Sequence, residues 1–390
     1  MIILDYPLQS LRESRWFKLI CGASFQHLPA IRNLTLAYSL AGADCIDVAA
    51  DQAVIAAARN GLEAMQHLYH RHGRNHTRNF QSSPWLMISV NDGDDPHFRK
   101  ATFDPVQCPS DCHRPCESIC PADAIVFTDA EKPHTFSEMV RVSQNIQSNE
   151  IPPSGVVFDR CYGCGRCLPV CPIQHIQTQS HQISTNELVA SLLPEVDALE
   201  IHTQVGRSPH FRDLWHCLRP HIHHLKLIAI SCPDGDGFVE YLRSLHNIMT
   251  DNGTTPLTSA LVWQTDGRPM SGDIGNGTTH ATVRLAQKAI AADLPGFVQL
   301  AGGTNAYTVP LLRSCNLLTH SSVAGVAYGS YARKVLTPVL DALEHRQTPN
   351  TSLFLESVPD LLHEAVQLAY TLVSQVKQPL PEVDPPPLVI

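Results

Sequence analysis

Short apolar runs rich in β-branched residues alternate along the chain with segments whose apolar positions recur at helical spacing. The apolar runs predict strands at 17–23, 43–50, 85–90, 196–202, 225–231, 259–263, 296–301 and 323–328. The helical patterns predict helices at 27–41, 52–60, 186–193, 238–249, 279–292, 332–345 and 359–375. Alternation of this kind is typical of a parallel sheet with helical crossovers.

Eight strands are the number that closes a (β/α)8 barrel, and a doubly wound open sheet is the alternative. The loops after the seventh and eighth strands favour the barrel, because they carry Gly302, Gly303, Gly329 and Ser330. In barrels these two loops often bind a phosphate group through backbone N–H groups. We therefore predict an α/β fold, a TIM-like barrel, with an anion site at these four positions.

The stretch between the third and fourth predicted strands holds eight of the thirteen cysteines in two runs, Cys108, Cys112, Cys116 and Cys120, then Cys161, Cys164, Cys167 and Cys171. The second run has the C-x2-C-x2-C-x3-C-P spacing of bacterial ferredoxins. Its two-residue gaps let a tight loop wrap three thiolates around one cluster. The proline after the last cysteine turns the chain away. The fourth cysteine of such a run ligates the other cluster.

This crossing rule divides the eight cysteines into two iron–sulfur sets. The first set is Cys108, Cys112, Cys116 and Cys171, and the second set is Cys120, Cys161, Cys164 and Cys167. The first run has three-residue gaps throughout, which leaves its cluster open between a [4Fe–4S] and a [3Fe–4S] type. Zinc ribbons use paired C-x2-C knuckles and disulfides need an oxidising compartment, so both alternatives are disfavoured.

The cysteine region follows the third strand, in a loop at the C-terminal face, where barrel active sites lie. The hypothesis is that its clusters lie over the barrel mouth, close to whatever the mouth binds. We predict four parts: residues 1–91 (first part of the barrel), 92–184 (an inserted bacterial-type two-cluster ferredoxin-like domain), 185–376 (the rest of the barrel) and 377–390 (an extended Pro-rich tail).

Composition and charge indicate which kinds of partner and which location in the cell to expect. The net charge of −9 and the absence of a long basic run argue against a nucleic-acid partner. No apolar run approaches the roughly 18 residues of a membrane span. The first residues lack the basic and apolar regions of a signal peptide. We expect a cytoplasmic protein without a transmembrane segment.

A few side chains outside the cysteine runs have more than one interpretation. Asp47 and Asp51 end the second strand on the favoured face, where we predict a helix N-cap or a polar mouth, with catalytic or cofactor contact as the alternative. The isolated cysteines are expected to be small buried hydrophobes: Cys21, Cys45, Cys217, Cys232 and Cys315. No Ser-His-Asp triad or carboxylate pair stands out, so catalytic residues and enzyme activity stay open.

Segments 18–23, 42–51, 298–305 and 325–334, with both cysteine runs, resemble the light-dependent period protein family of cyanobacteria over nearly the whole chain. That family consists of iron–sulfur proteins of the circadian input pathway. The resemblance implies two redox-active clusters, with a [3Fe–4S] type suiting the wide run. It also implies that a redox partner, either a quinone or a ferredoxin-like donor, transfers electrons to the clusters. The protein would report the photosynthetic redox state in this way. The receivers would be clock-associated proteins such as a sensor kinase.

The C-terminal half is more faintly similar to the flavin-binding barrels of the dihydroorotate and dihydropyrimidine dehydrogenases. This similarity implies FMN, with its phosphate at Gly302, Gly303, Gly329 and Ser330. Two functions therefore stay open. The preferred one is a redox sensor for circadian rhythm, and the alternative is a flavin-dependent oxidoreductase whose FMN receives electrons from the clusters.

Overall fold

The structure of the chain is a computed structural model that describes residues 6–72, 83–93, 98–120, 122–127, 155–158, 160–180, 184–268, 274–318, 322–347 and 353–377. The predicted Pro-rich tail lies outside the described residues except for its first position. The proposed boundaries of the four parts stay a prediction.

The described strands, in chain order, are β1 (Trp16–Ile20), β2 (Cys45–Ala49), β3 (Trp85–Asn91), β4 (Arg99–Thr102), β5 (Ile125–Val126), β6 (Gly155–Val156), β7 (Gln177–Ser180), β8 (Ala198–His202), β9 (Leu227–Pro233), β10 (Ala260–Asp266), β11 (Phe297–Ala301) and β12 (Val323–Tyr328). Eight of them pair in parallel and close a barrel in the order β1-β12-β11-β10-β9-β8-β3-β2. The barrel prediction is confirmed, because each of these eight strands pairs with two neighbours, whereas an open sheet has two edge strands with one neighbour each.

The longer helices surround the barrel at Leu28–Ala41, Gln52–His72, Ser208–Leu218, Phe238–Met249, Thr279–Ala291, Ser330–His345 and Pro359–Lys377, with shorter ones at Tyr6–Arg12 and Thr308–Ser314. The predicted C-cap is confirmed, because Gly42 ends its helix at φ 100° and donates its N–H to the carbonyl of Ser39. The helix predicted at 186–193 is instead a short α-turn, Thr185–Glu187, followed by a π-turn and a 3-10 turn. Pro194 explains the break, because it lacks the N–H that would continue an α-helix.

The seam between β1 and β12 requires a glycine. A Cβ atom on Gly325 would lie 2.0 Å from the carbonyl oxygen of Trp16, so no larger residue fits there without moving the strands. The lower barrel interior is apolar, and there the rings of Trp16 and Trp85 lie 5.7 Å apart between centroids, with Cys45 and Met87 in the same cluster. The main core lies between the strands and the outer helices.

The cysteine region follows β3 and forms a small unit of its own. Its β4 and β7 pair antiparallel near the barrel, and β5 and β6 form a second antiparallel pair. Two one-turn helices, Pro115–Ser118 and Cys167–Val170, carry one cysteine of each run. A separate apolar cluster, which includes Phe103, Ile125 and Ile176, packs against the cysteines.

Candidate iron–sulfur centre and barrel mouth

The four thiols of the second set surround one small cavity of about 30 Å³. Cys120, Cys161, Cys164 and Cys167 all line it, with Ala101, Ala124 and Thr178 among the other lining residues. Cys120 belongs to the first run and the other three to the second, so the two runs cross at this cavity. This is the exchange of a cysteine between runs that the ferredoxin spacing predicts.

Two thiols of the second set, Cys164 and Cys167, have a raised pKa. Burial raises the pKa of Cys167 to about 12, and the neighbouring Cys161, Cys164 and Cys120 act in the same direction. Burial likewise raises the pKa of Cys164, with Cys120 and Cys161 adding to it. Thiols that repel one another's negative charge need a cation among them to ionise, and iron supplies that charge.

The first set is grouped in the same way. Burial raises the pKa of Cys108, and the charges of Cys112 and Cys171 add to the effect. Burial also raises the pKa of Cys116, again with contributions from Cys108 and Cys171. The cysteines that act on these two thiols therefore fall within the predicted set. The assignment of each cysteine to a cluster stays a prediction.

Cys171 differs from the other thiols. Burial alone would raise its pKa, but backbone N–H groups of residues 173–176 lower the pKa below the ordinary value. One of them, the N–H of His175, lies 3.3 Å from the Cys171 sulfur. A lowered pKa favours the thiolate, which is the form that binds iron.

Backbone N–H groups also point at the second set. The N–H of Ala101 donates to the Cys161 sulfur at 3.4 Å, and that of Ala124 donates to Cys120 at 3.2 Å. Gly163 and Gly165, at φ 70° and 73°, let the loop turn tightly between its cysteines. Hydrogen bonds to the sulfurs are a determinant of iron–sulfur potentials, so the residues present fit such clusters.

The barrel mouth is a second cavity, of about 110 Å³, and it adjoins the cluster cavity. Tyr162 and Cys164 of the cysteine region line it, as the position of the insertion predicts. Its rim includes all four positions of the predicted anion site, Gly302, Gly303, Gly329 and Ser330. Its floor is polar and comes from the strand interiors, with Asp47, Ser89, Glu200, His202, Gln264 and Asp266.

Arg333 joins the barrel to the cysteine region. Its guanidinium donates to the carbonyl oxygens of Ile20 and Cys21 at 2.9 and 2.8 Å, and to the Ser330 hydroxyl at 3.1 Å. The same group lies 4.1 Å from the ring centroid of Tyr162. One side chain therefore ties the end of β1, the start of a helix and the cysteine loop together.

A polar layer fills the upper barrel interior, and the sequence interpretation missed most of it. Seven of the eight barrel strands contribute to it, and its members include Lys18, Asp47, Ser89, Glu200, Ser231, Gln264 and Gln299. The members bond across strands: Gln264 donates to Glu200 at 2.6 Å, and Ser89 donates to Asp47 at 2.7 Å. The available signal was one polar residue inside each otherwise apolar run.

Two carboxylates share the buried Lys18. The ammonium group pairs with Glu200 and lies 3.3 Å from Asp47, and all three side chains are at most 2% exposed. Burial would raise the pKa of Glu200, but Lys18 and His202 lower it to about 2. Burial raises the pKa of Asp47 to about 6, because Glu200 opposes much of what Lys18 provides. Asp47 is therefore the more easily protonated of the two carboxylates.

The structure confirms some of the remaining predictions and contradicts others. Asp51 is an N-cap, since its carboxylate accepts from the N–H groups of Ala53 and Val54 at 2.9 and 3.1 Å. Asp47 lies instead in the polar mouth. Of the isolated cysteines, Cys21, Cys45 and Cys232 are buried as predicted. The prediction was wrong for Cys217 and Cys315, which are exposed on the outer helical layer.

Comparison with known proteins identifies the family. Residues 108–182 match the family model of the LdpA Fe-S cluster-binding domain, and residues 192–375 match that of the Light dependent period A C-terminal domain. Light dependent period A of Synechococcus elongatus is 47% identical over 382 residues, which cover 96% of this chain and 94% of that protein. This chain belongs to the light dependent period A family. It is an iron–sulfur protein, as the sequence predicted.

Two solved structures show distant likenesses to this family member. A (S)-3-O-geranylgeranylglyceryl phosphate synthase from Thermoplasma acidophilum is 10% identical with a TM-score of 0.28, covering 97% of this chain and 98% of its own. A pyruvate kinase from Cryptosporidium parvum is 11% identical with a TM-score of 0.31, covering 93% and 82%. Neither likeness carries an argument about function. In the part of the chain that the structure describes, no helix is both long and apolar enough to span a membrane.

Proposed function

We propose that this chain is a cytoplasmic redox sensor that holds two iron–sulfur clusters and relays cellular redox state to the circadian input pathway. The first cluster is bound by Cys108, Cys112, Cys116 and Cys171, and the second by Cys120, Cys161, Cys164 and Cys167. The observation that supports this most is that Cys164 lines both the cluster cavity and the barrel mouth. An electron on the second cluster is therefore close to the barrel mouth, where a bound molecule can respond to the change in charge.

The first cluster is the entry point for electrons in this proposal. Cys108 and Cys112 of this set are partly exposed, as Cys120 and Cys164 of the second set are, so apolar surface decides between the two. Val106 and Ile173, next to this set in the chain, are 68% and 47% exposed and offer apolar contact to a redox partner. The partner is a quinone or a ferredoxin-like donor, and the wide run holds a [3Fe–4S] or [4Fe–4S] cluster. The receiver is a clock-associated protein such as a sensor kinase, in line with the relative's name.

Anaerobic purification with iron and sulfide analysis tests the cofactor proposal. EPR spectra of the isolated and the reduced protein should show two centres, with an oxidised three-iron signal if the wide run holds [3Fe–4S]. Replacing Cys164 with serine should remove one centre and leave the other. Cys217→Ser is the matched control, because Cys217 is exposed and lies outside both sets. A protein that binds only zinc would overturn the proposal.

Complementation tests the clock role. A Synechococcus elongatus strain that lacks its Light dependent period A should regain its light-dependent period when this chain is supplied. The Cys164→Ser variant should fail to restore the period although it accumulates to a normal level, and Cys217→Ser should succeed. Equal rescue by both variants would show that the second cluster is not needed for the signal.

A flavin-dependent oxidoreductase is the second candidate. Its support is that Gly302, Gly303, Gly329 and Ser330 all line the mouth, with the first two at φ 62° and 91°. The size of the mouth argues against it, because about 110 Å³ is less than the roughly 150 Å³ of a cavity that holds one benzene ring. A three-ring flavin needs considerably more room. Stoichiometric flavin fluorescence from the denatured protein would reverse this preference.

A further inference from the structure

The buried charges of the barrel interior have no role in holding iron. Lys18, Asp47 and Glu200 are at most 2% exposed, and burying each charge costs several kcal/mol before pairing. The lower half of the same interior is filled by apolar residues around Trp16 and Trp85. Apolar side chains can therefore fill this barrel, and closure of the barrel does not explain the charges.

These charges face the cavity that borders the second cluster. Asp47, Glu200 and His202 line the mouth, and Tyr162 and Cys164 line it as well. Of the residues around the mouth and around the cluster cavity, Tyr162 and Cys164 are the two that line both. The titratable floor and the cluster cavity thus have one wall in common.

Of the two carboxylates, Asp47 is the one placed to change its protonation. Glu200 is held as an anion by Lys18, accepts from Gln264 at 2.6 Å and lies 2.9 Å from His202. Asp47 has the longer contact with Lys18, 3.3 Å, and its other partner is the Ser89 hydroxyl at 2.7 Å. A hydroxyl can donate to a carboxylate or accept from a carboxylic acid, so this bond survives protonation.

The titratable groups that act on Asp47 come from three strands and one loop. They are Lys18 and Cys21 from β1 and the loop after it, Cys45 from β2 itself, and Glu200 and His202 from β8. The β3 strand faces Asp47 with the neutral Ser89. None of these groups belongs to either predicted cluster set.

We propose that the barrel mouth is a proton-exchange site in which Asp47 takes up one proton when the second cluster takes up one electron. An external one-electron carrier supplies the electron, through the first cluster, to the oxidised second cluster, and water in the mouth supplies the proton to the Asp47 carboxylate. Cluster reduction adds a negative charge beside the mouth, and this favours the neutral acid. The proposal rests on the proposed function, since it needs a redox-active cluster at Cys120, Cys161, Cys164 and Cys167.

The test is an EPR-monitored redox titration of the complete protein between about pH 5 and about pH 9. The potential of the second cluster should fall with rising pH by about 59 mV per unit between the pKa of Asp47 in the oxidised protein and its higher pKa in the reduced protein. Because each pH unit is a tenfold change in proton concentration, that slope corresponds to one proton per electron. The potential of the first cluster is the internal reference and should stay level.

Two variants separate proton uptake from a simple charge effect. Asp47→Asn should make the second potential independent of pH. Asp266→Asn is the matched control: Asp266 lines the same mouth and accepts from Ser231, so its loss should shift the potential but keep the slope. A level wild-type potential, or a slope that persists in Asp47→Asn, would overturn the proposal.

Infrared difference spectra of the wild-type protein provide a test that needs no variant to fold. Reduction should produce a carboxylic acid C=O band that shifts in deuterated water. Absence of that band, with the cluster reduced, would reject proton uptake by a carboxylate. The outcomes stay distinguishable, because missing clusters would remove the proposed function, whereas clusters with a pH-independent potential would remove only this coupling.

Discussion

The guanidinium carbon of Arg333 lies 4.1 Å from the ring centroid of Tyr162, so a barrel helix contacts the loop between Cys161 and Cys164. The same guanidinium holds the carbonyl oxygens of Ile20 and Cys21. Tyr162 also meets Phe25 edge-on at 6.0 Å. The cysteine region is therefore fixed to the barrel at the point where a cluster and the mouth meet.

Arg333→Lys should loosen this junction. Lysine lacks the planar fork that serves two carbonyl groups and the ring at once. We expect a loss of about 1–3 kcal/mol in the free energy of unfolding, measured in urea, and a broadened EPR signal of the second cluster. Arg346→Lys is the control, because Arg346 pairs with Asp360 on the surface, where such pairs contribute about 0–1 kcal/mol. Equal effects of both changes would mean that Arg333 contributes no more to stability than an arginine in a surface ion pair.

Pairs of cysteine replacements test the crossing of the two runs. Cys120→Ser combined with Cys164→Ser should remove one cluster, because both belong to the second set, and should leave roughly half of the iron. Cys120→Ser combined with Cys116→Ser should damage both clusters and lose most of the iron. Iron analysis and EPR provide the measurement. If the second pair spared one cluster completely, each run would hold its own cluster and the assignment would be wrong.

The fold could be predicted because its signals are local. Eight apolar runs that alternate with helical patterns predicted the barrel, and the cysteine spacing predicted the iron–sulfur region, while the crossing of Cys120 stays a prediction. The positions at the rim of the mouth, Gly302, Gly303, Gly329 and Ser330, could be predicted because glycines directly follow two of the strands. Each of these predictions needed only neighbours in the chain or a known motif.

The polar barrel interior could not be predicted in the same way. Lys18 and Glu200 are 182 positions apart, and Trp16 and Gln299 are 283 apart. Which strand residues face inward depends on the register with which the barrel closes, and no local pattern fixes that register. The polar residues within these strands could be identified in the sequence, but the side chains that they contact across the barrel could not. The same reason applies to Arg333, whose partners come from distant segments.

The strand seam gives a test of the barrel closure. Gly325→Ala should destabilise the protein by more than about 2 kcal/mol, because its Cβ would lie 2.0 Å from the Trp16 carbonyl oxygen. Gly277→Ala is the control, since no atom lies within 4 Å of a Cβ there. That change should be neutral or stabilise by less than about 1 kcal/mol. Thermal unfolding of both variants checks the difference.

Lys18→Met should destabilise the barrel strongly. It leaves Asp47 and Glu200 buried without their cation, and breaking a buried ion pair from one side costs about 3–5 kcal/mol. Replacing Glu200 with Gln in the same protein should recover part of the loss, because one uncompensated charge is then removed. Urea unfolding of the single and double variants gives the coupling between the two positions. Additive losses would show that Lys18 and Glu200 do not stabilise each other.

The pH dependence of unfolding separates the two carboxylates. Because the pKa of Asp47 is raised to about 6 by burial, the folded protein binds its proton more tightly than the unfolded chain, whose aspartates titrate near about 3.9. The contribution of Asp47 to the free energy of unfolding should therefore fall as the pH rises from about 4 to about 6. The pKa of Glu200 is lowered to about 2, so its contribution is lost as the pH falls from about 4 towards about 2.

Comparing the wild type with Asp47→Asn isolates the first effect. The variant cannot titrate at this position, so the free energy of unfolding of the wild type should fall relative to that of the variant between about pH 4 and about pH 6, and the difference should be constant above that range. Urea unfolding at a series of pH values measures it. A difference that does not change with pH would mean that Asp47 has an ordinary pKa in the folded protein, and the proton-exchange site would then lose its acceptor.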